Sequence, residues 1–299
     1  MNSARQTTNR FALVVLLLLI STVVYSQKES FIYIGTNGKI TTLENAFYKQ
    51  RILAKSTART TIQTFTLINS NWNKISTDQY KKLNDSTYQI RENGEDFTGT
   101  ICRTFYQKAD KTYLFKDKLK DVLVREGTAK SIVPLLLDGQ VTEFYRNGNK
   151  KSISKYENNE LISNENWNID GEKYIDNLFY SVDTYPTYIP GKNVLNQELI
   201  KAFRDAGIDI TSISGSLIIG FAVMEDGKIE GLKIIKGLGP NINNVAFNTF
   251  ANMKGEWTPA KLNNKTVRYF QVFPINFIYR QYQFEFAEMR GSILHYGAY

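Results

Sequence analysis

The chain has 299 residues, with 37 Lys and Arg against 29 Asp and Glu, one Cys and one His. A single Cys excludes an intrachain disulfide framework and every thiolate zinc cluster, and a single His excludes multi-histidine metal sites. At 42% apolar and 22% charged residues, the chain can build a substantial core and is not wholly disordered.

Arg5 and Arg10 precede an unbroken apolar run at residues 11–20, and Val24 and Ser26 then lead to Gln27. This is the layout of a secretory signal peptide over residues 1–26, cleaved after Ser26. The apolar region is short for a spanning helix, which leaves an uncleaved inner-membrane anchor as the second reading. The expected location is therefore the periplasm. Cys102 reads as a small buried apolar residue.

The excess positive charge is local. Lys39, Lys49, Arg51, Lys55, Arg59, Lys74, Lys81 and Lys82 face only Glu44 and Asp78 in the window 39–82. One reading is a patch for an anionic partner such as lipid headgroups, lipopolysaccharide or nucleic acid. The other is a solvated face, and the dispersal of these charges among Thr, Ser and Asn favours it. Export argues against nucleic acid, and an anionic membrane surface is a weak expectation.

Residues 27–135 read as β-rich. Thr and Ile content at 60–68 and alternation around 31–34, 88–90 and 100–106 predict strands of an antiparallel meander. In 136–175 the dipeptides Asp138-Gly139, Asn147-Gly148 and Asp170-Gly171 are hairpin turn signals, with Val141, Phe144 and Tyr145 between the first two. The spacing of Gly139, Phe144, Asn147 and Gly148 resembles the MORN-type hairpin repeat, including its variant in bacterial antitoxin-like proteins. That resemblance implies a scaffold sheet without chemistry.

Pro186 and Pro190 hold residues 176–192 extended, as a linker. Leu195, Leu199, Ile200 and Phe203 then recur at helical spacing from Asn193, and Gly207 stops the helix. A strand at 216–224, the turn Asp226-Gly227 and a return strand at 229–236 follow. Gly237, Leu238, Gly239 and Pro240 break the strand. Ile242, Val245, Ala246, Phe250 and Met253 make an apolar helical stripe. Trp257, Pro259 and Ala260 lead through Asn263-Asn264 to a last strand at 267–277.

This order of turns, with Lys236, Lys265, Val267, Pro274, Ile275 and Phe277, resembles the C-terminal domain of the TonB family over residues 183–277. The resemblance implies an α+β fold: a β-rich antiparallel region followed by a small domain of helix, β-hairpin, helix and edge strand. Asp226, Gly227, Gly237, Gly239, Trp257, Pro259 and Pro274 would define its turns and core. It further implies capture of an extended peptide along the last strand by β-augmentation, through Val267, Arg268, Tyr269, Phe270, Gln271, Val272 and Phe273. The implied partner is an outer-membrane TonB-dependent transporter or another envelope protein, with homodimer pairing through the same strand as a variant. Residues 278–299 extend past the pattern and could cover that edge. The family's energy-transducing members carry a His-bearing anchor and a long Pro-rich spacer. This chain has neither, so a binding or scaffold protein is expected first and a membrane-anchored energy transducer second.

No catalytic constellation emerges. His295 stands in the tail without a partner motif, Gly237-Leu238-Gly239 lacks the rest of a phosphate loop, and no calcium loop appears. The expectation is a non-enzyme with no cofactor and no metal.

Overall fold

The computed structural model describes residues 28–94, 98–253 and 255–277. The predicted signal segment, His295 and the extension 278–299 lie outside these residues.

The first twelve strands form one antiparallel sheet. They are β1 (Lys28–Ile34), β2 (Ile40–Thr41), β3 (Tyr48–Ser56), β4 (Arg59–Ile68), β5 (Asn71–Asn84) and β6 (Thr87–Asn93), then β7 (Thr98–Gln107), β8 (Tyr113–Leu119), β9 (Val122–Ile132), β10 (Leu135–Phe144), β11 (Lys150–Glu157) and β12 (Glu160–Asn166). Apart from β2, which pairs on the outer side of β1, each strand pairs with its sequence neighbour, so the sheet is a meander. Period-two patterning sets its two faces. In β8 Phe115, Asp117 and Leu119 are buried while Leu114, Lys116 and Lys118 are exposed. The inner face packs Ile62, Tyr80, Ile90 and Ile101 as one cluster and Phe115, Ala129, Ile132, Leu137 and Val141 as another.

Right-handed strand twist curls this sheet into a nearly closed barrel. Its two ends meet where the β1–β2 turn touches the β11–β12 turn. Leu161 N donates to Asn37 O at 3.2 Å, and Asn159 Nδ2 donates to Gly38 O at 2.7 Å. Gly38 is required there: its φ is +87°, and a Cβ would stand 2.6 Å from Asn159 O.

The chain then doubles back as a strap along the same seam. Asn164 donates to Leu178 O at 2.7 Å and accepts from Leu178 N at 3.0 Å, while Asn166 donates to Ile175 O at 2.9 Å. On the far side of the seam Tyr48 Oη lies 3.4 Å from Ser181 Oγ, and Thr36 donates to Asp183.

The second sheet contains β13 (Leu178–Phe179), β15 (Gly215–Val223), β16 (Ile229–Lys236) and β19 (Lys265–Phe277), with β18 (Ala260–Leu262) paired to β19. β14 (Thr187–Tyr188) pairs with β17 (Trp257–Thr258). Two helices, α1 (Lys192–Asp205) and α2 (Pro240–Ala251), cover one face. Their apolar residues Leu195, Leu199, Phe203, Ala246 and Phe250 pack on Leu217, Ile219, Phe221, Phe273 and Ile275. The strap contributes β13 to this sheet, parallel to β19, so it ties the second sheet to the first.

The α+β expectation is overturned. Among the described residues 59% are strand and 13% helix, and the dominant element is the twelve-stranded sheet rather than a small TonB-type α+β domain. The physical reason lies in strands that sequence patterning hides. β5 runs 14 residues through mostly polar side chains, because one sheet face looks to water and the other to a partly polar interior. Asp138-Gly139 differs from its expected hairpin turn as well. It sits inside β10 as a bulge, with Gly139 at φ +92° and the register jumping from Leu137 to Val141. Cys102 is exposed, since the alternation that buries Ile101 and Arg103 turns it outward.

Candidate functional site

The last strand is not the end of its sheet. The order β13-β19-β15-β16 places β19 inside, and β16 is the last strand on its side among the described residues. Val267 pairs with Ala260 of β18. Arg268 and Tyr269 pair with Leu178 and Phe179 of the strap, and Tyr269 pairs with Val223 on its other side. Arg268 Nε also donates to Glu225 at 3.1 Å, and its Nη1 donates to Asp176 O at 3.2 Å. Phe270, Gln271, Val272 and Phe273 pair with Ala222, Phe221, Gly220 and Ile219. The strap therefore occupies the start of the edge that the sequence assigned to a partner.

The turn residues stand around this sheet. Asp226 accepts from Lys228 N at 3.1 Å, and Gly227 adopts φ +83° with its site for a Cβ 2.3 Å from Trp257 O. Gly239 precedes α2, Gly237 lies against Asn243, and Pro274 lies within β19 opposite Ile218. Trp257 is buried, with its ring centroid 5.4 Å from that of Phe221 and 5.5 Å from that of Tyr188, and Pro259 joins it to β18.

β16 offers the longer edge. It pairs with β15 from Val223↔Ile229 to Ile218↔Lys236, and its other flank carries no strand among the described residues. Ile229, Leu232, Ile234 and Ile235 are half-buried along it, with Leu232 and Ile234 toward the helices and Ile235 on the opposite face. Lys233 lies over the rings of Tyr174 and Phe270, at 4.1 and 5.2 Å from their centroids. Burial pushes the Lys233 ammonium below its ordinary range, and Lys151 pushes it the same way. Tyr174 Oη donates to Gly231 O at 2.7 Å, closing one carbonyl of the strand.

Inside the first sheet lies a charged row that the sequence reading passed over. Arg103, Asp117, Arg125, Glu143, Ser152 and Asn166 stand directly opposite one another on consecutive strands β7 to β12. Arg103 Nε and Nη2 donate to the two Asp117 oxygens at 2.7 and 2.9 Å. Arg125 Nε and Nη2 donate to Asp117 Oδ2 at 3.1 and 2.7 Å. Arg103 Nη1 also donates to Ile132 O at 3.3 Å. Burial alone would raise the Asp117 carboxyl, but the two guanidiniums outweigh it and hold it below the usual carboxylate range. Glu143 follows the same pattern: burial raises it, and Lys151 and Arg125 carry it lower. Burial above all, with smaller and opposed effects of Arg103 and the nearby carboxylates, lifts the Tyr80 hydroxyl to about 12.

Four guanidinium N–H groups bond Asp117, one at Oδ1 and three at Oδ2, and they hold it as an anion. The signal that could have found it is Phe115-x-Asp117-x-Leu119, a charge at the inward phase of a strand. Among the described residues no three His, Cys, Asp or Glu side chains come together as a metal site. No described helix is long and apolar enough to cross a membrane. Comparison with family models, curated proteins and solved structures returns no match for this chain.

Proposed function

We propose that the protein is a non-catalytic binding or scaffold module of a Gram-negative cell envelope, which takes an extended partner segment by strand addition. The observation that carries this reading is the position of β16 at the end of its sheet, eight residues long and without a strand on its outer flank among the described residues. Main-chain groups along such a flank supply affinity, and alternate side chains supply selectivity. The strap pairs with the start of β19, which supports β16 over the last strand as the edge for a partner. An outer-membrane transporter or another envelope protein is the partner class implied by the sequence resemblance alone.

Selection of seven-residue extended peptides from a displayed library, followed by amide exchange on the complex, tests this. Selected peptides should protect alternate amides between Ile229 and Lys236, and Ile235→Lys should weaken binding about tenfold, as loss of one apolar contact on that edge would. Peptides that bind while β16 exchange stays unchanged would refute the strand-addition reading.

A further inference from the structure

We infer that the outer face of β1, β3, β4 and β5 docks the protein on an anionic lipid surface. This rests on the barrel wall and is independent of the β16 edge.

The strand register assembles the face. Tyr33, Lys49, Phe65 and Lys74 stand opposite one another on four adjacent strands, aromatic and cationic in alternation. The next outward-facing row along the strands is Phe31, Arg51, Gln63 and Thr77. Toward the other end Leu67 pairs with Trp72, and Leu67 N donates to Phe47 O at 3.0 Å. Beyond them, where the strands end, Leu43 is 51% and Ile68 is 36% exposed. Aliphatic side chains thus stand at the rim, and rings and cations share the rows inward of it, a pairing that suits the acyl boundary and phosphate headgroups of a membrane interface.

Charge identifies the occupant. Lys49 Nζ lies 5.0 Å from the Phe65 ring centroid and 4.7 Å from that of Trp72, and among the described residues it meets no carboxylate. Lys74 is exposed and also unpaired with any described carboxylate. The acidic groups nearby are Glu44, in the rim turn, and Glu29, which Arg51 holds through Nε and Nη2 at 3.0 Å each. An ammonium seated on two rings keeps its outer side open to a phosphate while its alkyl stem covers apolar surface. The other cations of the basic window do not join this face. Lys55, Arg59 and Lys81 lie at the opposite end of the strands, and Lys82 bonds Asp85 at 2.7 Å.

The test uses the full chain with vesicles of phosphatidylethanolamine and phosphatidylglycerol, against vesicles of phosphatidylcholine alone. The apolar segment at residues 11–20 is common to every variant and both vesicle types, so it cancels in the comparison. Each cation at an anionic surface contributes roughly fivefold in affinity, so the double variant Lys49→Ala with Lys74→Ala should bind phosphatidylglycerol vesicles about 30-fold more weakly. Lys118→Glu, on the outer face of β8, should bind as the unaltered protein does. Brominated lipid should quench Trp72 fluorescence, and Trp72→Phe should abolish that component. Unaltered far-ultraviolet circular dichroism in each variant shows that the fold is kept. Equal binding by the double variant, equal binding to both vesicle types, or absence of Trp72 quenching would each overturn the inference. Binding to a soluble polyanion without binding to vesicles would overturn it too and would reassign the face to that polyanion.

Discussion

The two sheets solve the same problem with different chemistry. In the C-terminal sheet the interior is rings and aliphatic chains: Phe203, Phe221, Phe250, Trp257 and Phe273 lie between strands and helices. In the twelve-stranded sheet, apolar clusters share the inner face with Arg103, Asp117, Arg125 and Glu143. A helix laid over a sheet excludes water with large apolar faces. A sheet curled on itself places residues of adjacent strands directly opposite one another, and charges of alternating sign can then neutralise their neighbours in register. The apolar interior adapts to a lost contact by partial collapse, whereas the ionic row has no tolerance for a missing member.

Removing the centre of the row should therefore have the largest effect. Asp117→Ala leaves two guanidiniums buried without their anion and should cost about 3–5 kcal/mol. Amide exchange should locate the loss in β7 to β9. A loss spread evenly over both sheets would mean that they unfold as one unit. Phe221→Ala should cost about 3–4 kcal/mol, through a cavity among Phe250, Trp257 and Ala246. Its effect should stay within the second sheet in the same exchange experiment.

Acid should separate the regions further. Asp117 and Glu143 titrate lower in the folded chain than in the unfolded one, so their contribution is full above the ordinary carboxylate range, near pH 4. It is lost as pH falls through their lowered folded values. Thermal melts between pH 5 and pH 2 should show the first sheet failing before the second, and Asp117→Asn should flatten that dependence.

The seam of the barrel and the strap along it should respond more gently. Gly38→Ala places a Cβ against Asn159 O in a left-handed backbone conformation and should cost about 1–2 kcal/mol, read as a lowered Tm. Tyr48→Phe removes the 3.4 Å contact to Ser181 and should cost roughly 0.5–1 kcal/mol or less. A larger effect from Tyr48→Phe would mean that the strap, rather than the turn at Gly38, holds the barrel closed.

Much of the second sheet was readable in the chain. The strand at 229–236, the turn at Gly227 and the helix through Leu195, Leu199 and Phe203 appear with nearly the expected bounds. Their signals are local: a φ that glycine accepts, or a stripe at helical spacing. The first sheet was legible only in part. The strand at 60–68 and the turn at Gly148 were found, whereas β5, β8 and β9 were not. The reason is that β5 carries few apolar residues and β8 places a charge, Asp117, at its inward phase. The last strand, which the sequence reading took as an edge, lies inside its sheet, with the strap paired to its start. Pairing of Arg268 and Tyr269 with Leu178 and Phe179 joins residues about 90 positions apart, which no local pattern encodes.

The amino-acid sequence by itself determined the tight turns at Gly148, Gly227 and Asn263-Asn264, the two helices and the concentration of positive charge between Lys39 and Lys82. These depend on the conformational freedom of single residues and on spacing along one segment. Only the tertiary structure decided that the meander closes at Gly38, that Arg103 and Arg125 share one carboxylate, that the strap covers the start of β19, and that Lys49 and Lys74 share a face with Tyr33, Phe65 and Trp72. Each of these depends on register between strands, and register is set by the curvature and pairing of the whole sheet.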